Sequence, residues 1–379
     1  MAAALTLAGC DPGVTDPPID PVATGPAGEA EFTVVGMGLV SDRSTSDLWA
    51  HGSVAYTGTR NCEGSVCGNR LYAWDIGDPS NIVLTDSVLV DATRVNDVKI
   101  SEDGGLAVLT HEGAADGLNG ITLLDMTDPL HPTVITRYVG DCSTPTTPSC
   151  LGGGIHNVWI DGGFVYAVEE DGGLHILDVS DPREPQEVAL FHAGSSHPHD
   201  VLVRDGLAFV SHWDAGLVIV DVGNGMRGGS PANPVEVSRI EIADGAMHNA
   251  WYWPERGYVF VGQESYEEPA GRMSVVDVSD LTAPVTVAEY AVEGSPPHNF
   301  WLDEDRGILY AAWYWKGLHA IDVSGDLEGD LAGQGRLYAS IRPRGPRGAA
   351  SIWAPQLHEG LIFASDKVNG LWALRFTVE

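Results

Sequence analysis

The chain has 379 residues, and its 46 glycines, 23 prolines and charged fraction of only 19% exclude a helix-rich or coiled-coil protein. Asp and Glu number 53 against 20 Lys and Arg, which gives a formal net charge of -33. Such a charge repels a phosphate backbone, so the composition argues against nucleic acid as a partner.

The first ten residues, MAAALTLAGC, form an apolar stretch that ends in Leu-Ala-Gly-Cys. They resemble the lipobox of bacterial lipoprotein signal peptides, in which the cysteine becomes the lipidated first residue of the mature chain. The resemblance implies a signal peptide over residues 1–10, lipidation of Cys10 and attachment to a membrane through that lipid. A chance cysteine in an apolar N-terminus is the alternative.

Residues 11–30 are rich in proline and carry almost no large apolar side chain. This composition is typical of an extended tether. Signal peptide and tether together predict that residues 31–379 form a domain outside the cytoplasm, held at the bacterial cell envelope in the periplasm or on the cell surface.

Residues 31–36, EFTVVG, read as a strand of the kind that ends the repeat units described below. The last unit of the chain supplies only three strands of its own. We therefore predict that the N-terminal strand completes the seventh unit and closes the ring, which removes an exposed sheet edge.

Four further cysteines fall in two close pairs, Cys62 with Cys67 and Cys142 with Cys150. Neither pair has the Cys-x-x-Cys spacing of a structural zinc site. Short loops close at low entropic cost, and an exported chain meets an oxidising compartment, so the spacing favours a disulfide bond within each pair. The sequence leaves the other connectivities open.

An apolar run that ends in Asp recurs through the chain in seven units of about 50 residues. Within each unit, short runs rich in Val, Ile and aromatic residues are separated by Gly, Asp or Pro, which predicts four antiparallel strands. Seven such units predict an all-β fold, a seven-bladed β-propeller of four-stranded blades. The aligned residues are Asp75, Asp125, Asp178, Asp221, Asp277, Asp322 and, in a degenerate last copy, Arg375.

The string LVIVD at residues 217–221 resembles the core of the LVIVD repeat family, and the Val-Ser-Asp-Pro turn at residues 179–182 is similar to that family too. The resemblance covers residues 31–379. It implies a bacterial, usually exported β-propeller and no particular activity.

A residue pair near the start of the first strand has Asp or Asn as its second member in six of the seven units, and its first member is histidine in four consecutive units: His156, His199, His248 and His298. Because innermost strands of successive blades converge on the propeller axis, we expect these imidazoles to lie together. Imidazole is the commonest ligand of transition metals, so the cluster predicts a transition-metal site. Hydrogen bonding of the histidines to loop carbonyls is the alternative.

The loops between the second and third strands should reach the same face of the propeller. Their carboxylates are placed to orient the imidazoles, and their tryptophans Trp213, Trp313 and Trp315 are expected to line a ligand pocket or, alternatively, to cover loop backbone. These loops hold Arg60, His111, Glu112, Glu169, Glu170, His212, Trp213, Asp214, Gln263, Glu264, Trp313, Tyr314, Trp315, Asp366 and Lys367.

Three arginines, Arg342, Arg344 and Arg347, crowd the loop that enters the seventh unit. In so acidic a chain this cluster favours recognition of a carboxylate or phosphate group on a small anionic ligand. Pairing with neighbouring acidic loops is the alternative.

Taken together, these features favour a lipid-anchored module that binds a ligand or an envelope protein through its histidine-bearing face. The alternative is a metal-dependent oxidase or oxygenase with the histidine cluster at the axis. Carotenoid-cleaving oxygenases and selenium-binding methanethiol oxidases are similar to this alternative in architecture alone, as propellers with axial histidines. The sequence points to no catalytic residue.

Overall fold

The structure is a computed structural model that describes residues 30–63, 66–140, 151, 153–194, 197–267 and 269–378. The predicted signal peptide, the tether before Ala30 and the pair Cys142 and Cys150 lie outside the described residues. The described chain is built of strands, and none of its segments is a helix of the length and apolar character that crossing a membrane requires.

The strands of the described residues follow in chain order. They are β1 (Ala30–Leu39), β2 (Ser44–His51), β3 (Val54–Arg60), β4 (Cys62–Glu63), β5 (Val66–Cys67), β6 (Arg70–Asp75), β7 (Val83–Leu89), β8 (Val98–Ile100), β9 (Leu106–His111), β10 (Gly120–Asp125), β11 (Thr133–Tyr138), β12 (Ile155–Asp161), β13 (Phe164–Glu169), β14 (Gly173–Asp178), β15 (Gln186–Phe191), β16 (Pro198–Arg204), β17 (Leu207–His212), β18 (Gly216–Asp221), β19 (Val235–Ile240), β20 (Met247–Trp253), β21 (Tyr258–Gln263), β22 (Arg272–Asp277), β23 (Val285–Ala291), β24 (Phe300–Asp303), β25 (Ile308–Ala312), β26 (Leu318–Asp322), β27 (Gly329–Asp330), β28 (Leu337–Ile341), β29 (Arg344–Gly345), β30 (Gly348–Ala349), β31 (Ile352–His358), β32 (Leu361–Asp366) and β33 (Gly370–Val378).

Seven four-stranded antiparallel sheets form the blades, which confirms the predicted all-β propeller. In order around the ring they are β2-β3-β6-β7, β8-β9-β10-β11, β12-β13-β14-β15, β16-β17-β18-β19, β20-β21-β22-β23, β24-β25-β26-β28 and β31-β32-β33-β1. The fifth blade gains a short parallel strand, β27, at its outer edge, which the sequence did not predict. The pairs β4–β5 and β29–β30 are small separate hairpins.

The innermost strands of neighbouring blades contact each other all the way round, from β2 through β8, β12, β16, β20, β24 and β31 back to β2. The hydrophobic core is divided in the same way, because each cluster of buried side chains lies between two adjacent blades. A middle strand therefore buries both of its faces and reads as a continuous apolar run. Strand β18, which contains the LVIVD string, is buried along its whole length.

The aspartate that ends the third strand of a unit has a local structural role. Asp75 Oδ1 accepts a hydrogen bond from the Gly77 backbone N–H at 2.9 Å, and Asp178 Oδ1 accepts one from Ser180 at the same distance. Such a bond to the backbone two residues on stabilises the turn into the outer strand. The equivalent bond recurs at Asp125, Asp277 and Asp322.

Asp221 extends this role to a longer connection. Its buried carboxylate accepts hydrogen bonds from the backbone N–H groups of Gly223, Gly225, Arg227 and Gly229. Burial alone would raise the pKa of Asp221, but these four donors lower it to about 2. The Gly-rich segment after LVIVD is thus wrapped around the Asp221 carboxylate.

Strand β1 is the outermost strand of the seventh sheet and runs antiparallel to β33, from Ala30 opposite Val378 to Leu39 opposite Gly370. It is longer than residues 31–36, which we predicted. Its Phe32 ring lies 4.9 Å from the Phe376 ring in the core. That this strand is what holds the ring closed stays a prediction.

Cys62 and Cys67 occupy directly paired positions in the hairpin formed by β4 and β5. Opposite positions of an antiparallel pair bring two Cβ atoms close. The disulfide bonds of both cysteine pairs stay predictions.

Candidate functional site

Three of the four histidines lie at β-bulges near the start of an innermost strand. The antiparallel register of β12, β16 and β20 skips His156, His199 and His248, so each is the extra residue of its strand. A bulge re-aims the side chain of the extra residue and is frequent beside functional sites. His298 lies two residues before β24, and Trp353 is the equivalent extra residue of β31.

The bulges bring the imidazoles into one arc around the channel mouth. Ring centroids are 4.4 Å apart between His156 and His199, 4.5 Å between His199 and His248, and 4.1 Å between His248 and His298. Trp353 ends the arc at 3.8 Å from His298. The four histidines are each 8% exposed or less, so the convergence predicted from the repeat is a buried cluster.

Backbone carbonyls orient two of the imidazoles. His199 Nδ1 donates to the His248 carbonyl oxygen at 3.2 Å, and His298 Nδ1 donates to the Trp353 carbonyl oxygen at 2.8 Å. A carbonyl only accepts, so in the neutral ring the proton lies on Nδ1 and Nε2 keeps its lone pair. The alternative that these histidines bond carbonyls therefore applies to both, and the same bond is the one that orients metal-binding imidazoles in general.

Carboxylates from the ends of second strands face the arc. Glu112 Oε1 lies 2.9 Å from His156 Nδ1. Glu170 Oε1 lies 3.5 Å from His156 Nδ1 and 3.8 Å from His199 Nε2. Glu264 Oε2 lies 3.5 Å from His248 Nε2. The loops thus deliver an acidic group to each of these three histidines.

Two groups of donor atoms lie close enough together that they could hold a metal ion. One group is His156, Glu170 and His199, the other is His199, His248 and Glu264, and in each the donor atoms lie within 4.8 Å of one another. Ligands that bind one ion at about 2.0–2.2 Å are spaced by about 3–4 Å. The structure therefore groups three of the four predicted histidines with two glutamates, and His298 belongs to neither group.

Within the described chain, His248 keeps one ring nitrogen of the arc unsatisfied. It is 2% exposed, and its Nδ1 is buried without a hydrogen-bond partner among the described residues. Burial lowers the pKa of His248, and burial together with the neighbouring imidazoles lowers the pKa of His199 well below the usual value. Both rings are neutral at pH 7, the form that binds a metal ion.

A cavity of about 300 Å³ opens the arc toward solvent beside His199, where Glu170 and Trp213 line it. The Trp213 ring lies 5.1 Å from the His199 ring. His197, also in this wall, has a φ of 91°, an unusual value for a residue with a side chain and one that concentrates at functional sites. A ligand can therefore approach His199 from this side.

The other two tryptophans of the predicted pocket occupy different places. Trp313 is fully buried in the core between the fifth and sixth blades, 5.8 Å from Tyr290. Trp315 is 39% exposed and donates its indole N–H to the Gly294 carbonyl oxygen. Of the three, Trp213 lies beside the imidazoles, and the burial of Trp313 leaves it no surface for a ligand.

The three predicted anion-binding arginines lie in and beside the hairpin β29–β30. Arg347 donates to the carbonyl oxygens of Val40 and Arg43, which ties the hairpin to the chain after β1. Arg342 Nε donates to the Ala350 carbonyl oxygen, and Arg344 is exposed. Their role toward a ligand stays a prediction, and two of them are engaged with backbone.

Below the arc, the channel is lined by a buried lysine and by tryptophans that the sequence did not single out. Lys99 Nζ is buried and contacts both Asp97 and Asp47, the latter at 3.2 Å. Further along, tryptophans pack ring against ring, at 5.7 Å from Trp49 to Trp159 and 4.7 Å from Trp251 to Trp301. The sequence does carry a signal for this layer, because Trp49, Trp159, Trp251 and Trp301 each lie two positions after the second member of the residue pair that recurs in the first strands.

Comparison with known protein families identifies LVIVD repeats in three of the blades. LVIVD repeats match residues 152–192, 196–241 and 257–292, which fall on the third, fourth and fifth blades. No curated protein matches the chain. Among solved structures, the computationally designed Ika8 protein is similar with a TM-score of 0.57 at 10% identity, over 88% of this chain and 97% of that one. At this identity the likeness concerns the fold alone.

Proposed function

We propose that this chain, a seven-bladed β-propeller with LVIVD repeats, is an extracytoplasmic binding module that holds a transition-metal ion at the histidine-bearing mouth of its channel. The observation that carries the proposal is the pair of donor groups that share His199. Imidazole nitrogens with carboxylate oxygens suit zinc, copper, nickel and iron, whereas the hard ions calcium and magnesium prefer oxygen alone.

Hydrogen bonds that orient the imidazoles support the same site. A metal-binding imidazole commonly donates its other N–H to a carbonyl or carboxylate, as His199 does through Nδ1. Glu112, which also pairs with Arg94 at 2.8 Å, holds His156 from the side. Burial opposes ionisation of this carboxyl, but its bonds to His156 and Arg94 prevail and lower its pKa, so it is charged at pH 7.

Metal titration of chelator-treated protein tests the proposal. We expect wild type to bind about one equivalent of Zn²⁺, and Co²⁺ to give a visible absorption band typical of nitrogen and oxygen ligands. His199→Ala removes the residue common to both donor groups and should weaken Zn²⁺ binding by at least about tenfold. His298→Ala should retain binding, because His298 lies outside both groups.

His131→Ala is the matched control, since the His131 side chain is 57% exposed and lies away from the arc. Near-ultraviolet circular dichroism checks that each variant is folded. Wild-type protein that binds no Zn²⁺, or a folded His199→Ala variant with wild-type affinity, would show that the channel mouth is not a metal site.

We also propose that Cys10 carries the lipid that attaches the module to the envelope membrane. The support is the resemblance of residues 1–10 to a lipobox and the proline-rich composition of residues 11–30. Mass spectrometry of protein from a bacterial membrane fraction should find the peptide that begins at Cys10 with two or three acyl chains. The same peptide found unacylated, or a mature chain that retains Met1, would refute the anchor.

A metal-dependent oxidoreductase is the second candidate. The cavity of about 300 Å³ beside His199 favours it, because a substrate entering there would reach the donor atoms directly. If Zn²⁺ binding is found, oxygen consumption should be measured for protein loaded with Cu²⁺ or Fe²⁺ in the presence of thiol or phenol substrates. If no oxygen is consumed, the binding module is the better description.

A further inference from the structure

Two cations at the channel mouth form no ion pair among the described residues, although the charge of Glu264 acts on both. Arg60 ends β3, and Lys367 follows β32, so they come from the first and seventh blades. The chain has 53 carboxylate side chains for 20 Lys and Arg, yet within the described part of the chain no ion pair holds either side chain. Arg60 Nε is in addition buried without a hydrogen-bond partner there.

Both cations pack on the same ring. The Arg60 guanidinium carbon lies 4.2 Å from the Trp353 ring centroid, and Lys367 Nζ lies 5.1 Å from it. Lys367 Nζ also lies 5.2 Å from the Tyr314 ring centroid. Cation–π contact holds the two positive charges close together, although like charges repel each other.

Besides burial, repulsion by Arg60 affects the ionisation of Lys367, whereas the pKa of Arg60 responds to Arg94. Burial and then the charge of Arg60 lower the pKa of Lys367 to about 8, and burial and then Arg94 lower the pKa of Arg60. An anion placed between the two groups would relieve this repulsion. A bound anion would therefore add to the stabilisation of the charged form of Lys367 that Glu264 already provides.

Stacked aromatic rings continue from the cations toward solvent. The Tyr314 and Trp315 rings stack at 5.8 Å and 20°, and the Tyr266 and Trp315 rings stack at 6.1 Å and 27°. Tyr266 is 54% exposed and Trp315 is 39% exposed. The Tyr266 ring also lies 5.8 Å from the Tyr314 ring, so the three rings form one cluster, and its exposed members offer a surface for the apolar, planar part of a ligand.

We infer that Arg60 and Lys367 bind the oxyanion of a small aromatic acid, and that its ring lies against Tyr266 and Trp315. The inference deepens the proposed binding function, on whose face the site lies, by naming the chemical class of the ligand. Glu264, a proposed metal donor, accepts hydrogen bonds from Tyr266 and Tyr314, so the two sites adjoin, but neither cation is a metal donor. The acid therefore binds without requiring the metal ion.

Isothermal titration calorimetry of chelator-treated protein with benzoate, acetate and benzamide tests the inference. We expect benzoate to bind, acetate to bind more weakly because it lacks the ring, and neutral benzamide not to bind. Arg60→Gln and Lys367→Gln should each weaken benzoate binding by about tenfold or more. Arg60→Lys, which keeps the charge, should retain measurable binding.

Arg183→Gln is the matched control, because Arg183 is an exposed arginine of the turn between β14 and β15. Benzamide binding as tightly as benzoate, acetate binding as tightly as benzoate, or wild type binding none of the three would overturn the inference. So would folded Arg60→Gln protein with unchanged affinity. Because the titration excludes metal, failure of the metal proposal leaves this result unaffected, and the converse also holds.

Discussion

Deletion of residues 30–38 is expected to lower the melting temperature by more than about 10 °C or to prevent folding. The deletion removes nearly all of β1 and leaves β33 as an exposed edge of the seventh blade. It also removes Phe32, whose ring lies 6.5 Å from Tyr310 of the sixth blade and 4.9 Å from Phe376. Removing one buried phenylalanine costs about 3–5 kcal/mol by itself.

A chain that lacks only residues 1–29 is the matched control, because it keeps the whole of β1. Phe32→Ala separates the side chain from the strand and should give an intermediate loss. Thermal unfolding followed by circular dichroism measures all three. If the 30–38 deletion melts like wild type, then the N-terminal strand does not hold the ring closed.

Lys99→Met is expected to destabilise the protein by about 3–5 kcal/mol. The substitution removes the ammonium group that faces the buried Asp97 and Asp47 carboxylates and leaves their charges uncompensated. Although burial opposes it, the attraction of Asp97 and Asp47 raises the pKa of Lys99 above its usual value. A raised lysine pKa means that its stabilising contribution is complete below about pH 10 and is lost only as the pH rises above that.

Urea unfolding at several pH values measures this effect. The deficit of Lys99→Met should shrink as the pH falls, because burial raises the pKa of Asp97 well above its usual value, and the protonated carboxyl no longer needs a cation. Lys316→Met is the matched control, since Lys316 is exposed. Equal stability of Lys99→Met and Lys316→Met at pH 7 would contradict a stabilising role for the channel ion pair.

The sequence is sufficient to predict the fold, because within each unit short apolar runs bounded by turn residues mark the strands. A run such as LVIVD is apolar on both faces since it is a middle strand between two blades, and Asp75 or Asp178 marks the turn that follows. Because the same four-strand pattern occurs in seven units, the sequence predicts seven blades and hence a ring. The added strand β27 was missed because two residues give no periodic pattern.

The site is predictable only in part. Recurrence at one position of four units placed the histidines at the channel mouth, and the strand count placed Glu170 and Glu264 on the same face. Which donor atoms come within reach depends on bulges and on the spacing between blades, and neither is written in the order of residues. The sequence therefore predicts four equivalent histidines, whereas in the structure His298 stacks on Trp353 and lies outside both donor groups.

Residue type alone also does not predict whether a side chain is exposed to a ligand, because packing determines its burial. Trp313 and Trp315 are two positions apart in one loop, yet the first is fully buried in the core and the second is 39% exposed. Arg60 and Lys367 are separated by nearly the whole chain, so their meeting on Trp353 follows from closure of the ring and from no sequence motif.

Anomalous X-ray diffraction at the zinc absorption edge, from crystals grown with Zn²⁺, tests the central proposal most directly. We expect one anomalous peak bonded to His199 Nε2, with a second imidazole and the carboxylate of Glu170 or Glu264 completing the protein ligands. Crystals that give no peak at the arc of histidines, or a peak held only by residues elsewhere, would contradict a metal site at the mouth of the channel.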